Sequence, residues 1–341
     1  MTEPNGDAHQ EAKARELHKE AIIVDGTQAS NFVDPYFTVL RDAGVTVSLP
    51  TVAWIENLSE SIKLVAEWYG KLERNKSVAL QATTMDDIKR AKAEAKVAYV
   101  FAFQNVHPLE NKIELLDLFY KLGLRMVQLT YNEKNLVGDG CGERTNAGLS
   151  DFGLKLIERM NDLDVIVDLS HVGDKTTDEA IEASKIVVCS HSNARALCKN
   201  VRNKTDEQIK AIAEKDGIMG VAAFPSFVKR TTMERGERPT LDDLLDHVDH
   251  IVNLVGSEHV GLGLDFVENV VQEEQTKGLL TRPDIWGLPT PNGVYEYAEG
   301  IAGIADLFNI TRGLVARGYS DHDILNILGG NWIRVLERSL K

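Results

Sequence analysis

A chain of 341 residues, 43% hydrophobic and 26% charged, can bury a large core as one α/β domain or two smaller ones. Its net charge of −14, with no lysine and arginine cluster interleaved with aromatics, argues against nucleic acid as a partner. No apolar run approaches the ~20 residues of a membrane span, and the polar start from Met1 to Glu20 lacks the apolar middle of a signal peptide. Cys141, Cys189 and Cys198 are odd in number and lack metal-type spacing, which fits a reducing compartment, so the expected location is cytoplasmic, without a membrane partner.

In chain order, residues 9–20 read as a solvated amphipathic helix and 21–26 as a first buried strand. A helix near 32–43 leads to a strand at 45–52. Helices at 57–74 and 85–95 follow, the second opened by Thr84 as N-cap with an acidic first turn. Strands are predicted at 97–104, 125–131, 165–171 and 185–191, preceded, after the first, by helices at 110–122, 151–163 and 175–183. A helix at 205–215, a strand at 218–224, a helix at 241–254 and a strand at 259–266 complete the alternation. Eight strands separated by helices, with no linker or composition break, predict a single (β/α)8 TIM barrel over 1–341 rather than two dinucleotide folds. Gly261-Leu262-Gly263-Leu264-Asp265 ends on an acid where a dinucleotide fingerprint needs a glycine opening a helix. Loops 132–149 and 267–292 exceed what a barrel requires and are expected at the catalytic face, as lids.

Two β-branched runs end alike, in Ser170-His171 and Ser190-His191. As neighbouring parallel strands they would set both imidazoles side by side at the strand C-termini, the catalytic face of such a barrel. One such histidine is ordinarily a hydrogen-bonded core residue; two in tandem favour chemistry. Asp25, Thr27, Trp54, Gln104, His107, Tyr131, Phe224 and Asp265 lie at the other strand ends. Two imidazoles and one carboxylate suit one divalent metal, a water acidified by it, and Asp265 as proton acceptor. They are too few for two metals.

The segments Val167-Asp168-Leu169-Ser170-His171-Val172, Ser190-His191-Ser192, Val201-Arg202-Asn203, Val260–Phe266 and Leu328–Val335 resemble the signatures of the membrane (renal) dipeptidase family, peptidase family M19. The resemblance implies a metal-dependent barrel of amidohydrolase type and zinc-dependent hydrolysis of dipeptides, often tolerant of a D-residue on the C-terminal side. It makes His171 and His191 ligands of one metal, Arg202 the binder of the substrate carboxylate, and Asp265 a metal ligand and proton acceptor. Elsewhere the chain departs from the family. Thr27 and Ala29 stand where the first strand carries a His-x-Asp pair, Gln104 replaces a bridging glutamate, and Tyr131 replaces a histidine that polarises the substrate oxygen. The expectation is therefore at most one divalent metal, zinc, on His171 and His191 with Gln104 or Asp265. Tyr131 and Asn132 join Arg202 in binding a small carboxylated substrate, with Tyr131 polarising the carbonyl. A homodimer is plausible from the resemblance. Two rivals stay open: a metal-free lyase or deamidase using His171, His191 and Asp265, and a non-catalytic carboxylate binder that kept Arg202.

Overall fold

Short runs, most of them rich in β-branched residues and buried along nearly their whole length, form the staves of a closed parallel barrel in this computed structural model, which describes residues 4–271, 277 and 279–341. They are β1 (Ile23–Gln28), β2 (Val45–Ala53), β3 (Ala79–Gln81), β4 (Val97–Tyr99), β5 (Phe101–Phe103), β6 (Leu124–Gln128), β7 (Ile166–Asp168), β8 (Val187–Cys189), β9 (Ile218–Val221) and β10 (Val260–Leu262). β4 and β5 are halves of one stave, both paired with β2, so eight staves close the ring where β1 pairs with β2 on one side and β10 on the other. The (β/α)8 expectation holds. The addition is β3, a three-residue strand that extends β4 outside the ring and is too short to show a period. β7 and β8 end at Asp168 and Cys189, so the two Ser-His pairs lie in the turns just beyond them.

The outer helices begin where polar caps dictate. Asn57 with Glu60, Thr84 with Asp87, Thr205 with Gln208 and Thr240 with Asp243 each form a reciprocal capping box at the helices Leu58–Arg74, Met85–Ala93, Asp206–Glu214 and Leu241–Val255. Among the described residues, no helix is long and apolar enough to cross a membrane.

After the last stave, helices Phe308–Ala316, Asp321–Leu325 and Asn331–Ser339 follow. Trp332, fully buried, enters the barrel from the end where the strands start, and its indole N–H donates to the Leu262 carbonyl at 2.8 Å. Asn331 beside it donates to the carbonyls of Ser257 and Val260, both at 2.7 Å. Only glycine leaves room for this plug, since a Cβ at Gly26 would lie 2.0 Å from the indole. The Leu328–Val335 motif is thus structural and closes the end opposite the site.

Candidate active site at the barrel mouth

Two glycines and a buried aspartate set the histidines. A Cβ at Gly220 or Gly263 would fall 2.0 or 1.7 Å from the Ser190 carbonyl, so both glycines let the end of β8 press inward. Asp168 then ties the two turns together, accepting from the Ser170 N–H (3.0 Å), the Ser190 N–H (2.8 Å) and the Ser190 hydroxyl (2.6 Å). Ser170 Oγ accepts the His191 N–H at 2.9 Å. His171 leaves β7 with φ +64°, a left-handed backbone that costs a non-glycine residue of order 1 kcal/mol and swings its side chain over the mouth.

These partners also settle the tautomers. Asn132 Oδ1 accepts from His171 Nδ1–H at 2.8 Å. Ser190 Oγ, whose own proton goes to Asp168, accepts from His191 Nδ1–H at 2.7 Å, and Thr27 Oγ1 lies 3.1 Å from the same nitrogen. Both rings therefore present an unprotonated Nε2. That of His191 is buried with no hydrogen-bond partner among the described residues. The ring centroids are 5.0 Å apart, edge to face. Burial first, then the nearby Arg202 cation, holds both imidazoles well below their ordinary range, so they are neutral at pH 7.

The other expected residues gather around this pair in different ways. Asp265 also leaves its strand through a left-handed backbone (φ +55°), and burial pushes its carboxyl up to about 7, with Arg202 pulling it down and Asp168 pushing it up. It thus titrates near neutral pH, because loss of hydration outweighs the guanidinium. Asp25 is likewise pushed up to about 7 by burial, but its oxygens accept from the Leu264 N–H and the Gln28 amide, so it joins β1 to β10. Tyr131 lies flat on His171, with centroids 3.8 Å apart, and burial followed by the Asp265 charge keeps its phenol protonated. Asn132 also accepts from the Cys141 thiol, so its clearest work is orienting His171. Gln104 lines the adjoining cavity. His107 is exposed and stands outside the cluster. Among the described residues, no three His, Cys, Asp or Glu side chains form a metal-holding group.

Arg202 is fully buried beneath the rings. It donates to the His191 carbonyl (3.2 Å) and Ser192 Oγ (3.4 Å), stacks over Phe227, and its Nε has no hydrogen-bond partner among the described residues. Lys204, also fully buried, donates to the Val172 carbonyl and Thr177 Oγ1, both at 3.0 Å. Neither forms an ion pair with a carboxylate among the described residues, which leaves two buried cations under the site without an anion. Lys204 was not among the expected site residues. Its signal was a lysine two positions past Arg202, indistinguishable in sequence from a surface charge. Asp168 was missed as well, although an acid closing an apolar run was a visible cue.

The loop 132–149 is a buttress and not a free lid. Cys141 N–H donates to the His171 carbonyl at 2.8 Å, Gly173 N–H to the Asp139 carbonyl at 3.0 Å, and buried Asp139 holds Thr145 and Ala147. Of the loop 267–292, residues 272–276 and 278 lie outside the described residues; Trp286, in the short helix Pro283–Trp286, stands 6.1 Å from His171.

The turn after His191 is held by a further buried histidine. His247 Nδ1 accepts the Ala194 N–H at 3.2 Å and its Nε2–H donates to the Val228 carbonyl at 2.8 Å. Burial pushes its pKa down from 6.5 to about 4. The unfolded chain therefore takes up the proton first, and the stability of the neutral ring is complete above pH 6.5 and lost as pH falls toward about 4. Urea unfolding at pH 7.5 and 5 should show a loss of about 2 kcal/mol from this group, absent in His247→Gln. An equal acid loss in both proteins would refute the assignment.

Comparison with known proteins agrees with this arrangement. The model of the membrane dipeptidase family (peptidase family M19) matches residues 45–279. Dipeptidase tcpJ of Claviceps purpurea is 30% identical over 254 residues, 74% of this chain and 53% of that protein; the chain thus spans about half of that relative's length. An uncharacterized protein from the pqqA 5′ region of Klebsiella pneumoniae is 30% identical over 81% of this chain and 92% of its own. An amidohydrolase structure from Pseudomonas aeruginosa superposes with a TM-score of 0.87 at 31% identity, covering 96% of this chain and 99% of that one. A metallo peptidase from Rhodobacter sphaeroides, liganded with a phosphinate mimic of L-Ala-D-Ala, shares the fold at a TM-score of 0.78 and 19% identity, over 94% of this chain and 99% of its own. The family match, which takes in well over half of the chain, shows that it belongs to the membrane dipeptidase family, peptidase family M19.

Proposed function

We propose that the protein is a dipeptidase-like hydrolase acting on a small amide with a free carboxylate, with at most one divalent metal, zinc, at His171 and His191. The observation that carries this reading is the unpaired guanidinium of Arg202 buried beneath two neutral imidazoles and Asp265. A fork-shaped cation there suits a carboxylate that enters between Tyr131 and Trp286, whose centroids are 6.4 Å apart. The tyrosine hydroxyl, kept protonated, donates to the carbonyl oxygen as charge develops on it. Asp265, titrating near neutral pH, takes the proton of the attacking water.

With two imidazoles and no third protein ligand grouped with them among the described residues, the donor set could hold one cation at most. The two imidazoles stand 5.0 Å apart with Nε2 unprotonated, but Thr27, Ala29 and Gln104 offer no anionic ligand, and Arg202 and Lys204 already place positive charge nearby. When bound, one zinc would supply Lewis-acid polarisation and a more acidic water. Metal analysis of the purified protein by mass spectrometry should find no more than one tightly held divalent ion per chain, lost in His171→Ala and His191→Ala. A dipeptide screen with and without added zinc tests the activity. Two stoichiometric zinc ions would overturn the metal assignment, and no hydrolysis under either condition would overturn the reaction.

A further inference from the structure

Beside Tyr131, the ring stacked on His171, lies a cavity of about 600 Å³. Phe32, Trp54, Trp68, Tyr131 and Trp286 supply aromatic surface to its walls, and the Trp54 ring leans on Tyr131 at 4.6 Å. Gln104 lies in the same wall, 8% exposed, and its amide nitrogen has no hydrogen-bond partner among the described residues. A buried amide left in that state costs about 1–3 kcal/mol, which a ligand oxygen would recover. Of the carboxylates that line the cavity, Glu133 is exposed, and half-buried Glu56 accepts the Trp54 N–H through Oε2 at 2.6 Å. Besides the aromatic faces, the lining holds the cations Lys71 and Arg282 and neutral polar side chains such as Ser30, Asn31 and Thr51, with Glu56 and Glu133 as its carboxylates.

We propose that this cavity selects substrates with a bulky apolar group, aromatic by preference, on the amino side of the scissile bond, with a carbonyl oxygen of the ligand accepting from Gln104. The orientation rests on the reading of Arg202 as carboxylate binder, which places the amino-side residue toward the cavity. Lined by Trp54, Tyr131 and Trp286, the walls present rings to a flat side chain from several sides. An alanine there would leave most of the space to water, and a lysine would bring a second ammonium, in addition to the dipeptide's own amino group, to walls that already carry Lys71 and Arg282.

Titration calorimetry of the full chain with Phe-Ala, Leu-Ala, Ala-Ala and Lys-Ala tests this by binding, independently of turnover. Phe-Ala is expected to bind at least about tenfold tighter than Ala-Ala and Lys-Ala. Trp54→Ala removes a ring that is 37% exposed and should bring that ratio close to one. Gln104→Leu should weaken Phe-Ala about five- to tenfold, the worth of one hydrogen bond. Equal affinities for Phe-Ala and Ala-Ala in the unaltered protein, or an unchanged ratio in Trp54→Ala, would overturn the proposal; undiminished binding by Gln104→Leu would overturn the carbonyl contact. Selective binding without cleavage of any dipeptide would support the cavity assignment while overturning the hydrolase reading, and cleavage without side-chain preference would do the reverse.

Discussion

Asp265→Asn should lower turnover by about 10²–10⁴, the usual worth of a positioned proton acceptor, while leaving the fold intact. The substitution is nearly isosteric, and asparagine tolerates the left-handed backbone that Asp265 adopts (φ +55°), so the turn after β10 has no reason to change. Loss of hydration is what pushes the carboxyl up to about 7, so removing a buried charge should hold or raise thermal stability above neutral pH. Initial rates on a dipeptide found by the screen, with thermal unfolding at pH 8, measure both. Wild-type turnover in the variant would rule out Asp265 as the base and leave its buried carboxyl without the proposed role.

Arg202→Ala should cost about 30-fold or more in affinity for a carboxylated ligand, the range seen when one partner of a buried charged pair is lost. The buried side chain also packs on Phe227 and donates to the His191 carbonyl, so truncation alone would mix recognition with support of the turn. The discriminating quantity is the preference for a dipeptide over the same dipeptide with an amidated C-terminus. That preference should be large in the unaltered protein, smaller in Arg202→Lys, which keeps the charge without the fork, and absent in Arg202→Ala. If all three proteins show the same preference, Arg202 does not read the carboxylate. Arg195 is a poor control: it pairs with Asp174 through two contacts of 2.7 and 2.8 Å and donates to the Val201 and Asn203 carbonyls, so its loss would loosen the turn that carries Arg202. Arg238, which donates to the Tyr297 carbonyl and is exposed, serves better.

Local pattern was enough for the barrel because its staves are written in short β-branched runs and its helices in polar caps such as Thr84 with Asp87. Pattern also located the histidines, since two parallel neighbours each followed by a Ser-His pair place them together. It could place Asp265 and Arg202 by resemblance but could not tell how they are held. Tertiary structure decided which nitrogen of each imidazole is open, because the deciding partners, Asn132 for His171 and Thr27 with Ser190 for His191, include residues 39 and 164 positions away. It also decided that Arg202 and Lys204 are buried without an anion, that Asp265 titrates near neutral pH, and that residues 132–149 brace the site. Each of these depends on desolvation or on hydrogen bonds between distant segments. Neither quantity has a period along the chain, and both arise only when the barrel closes.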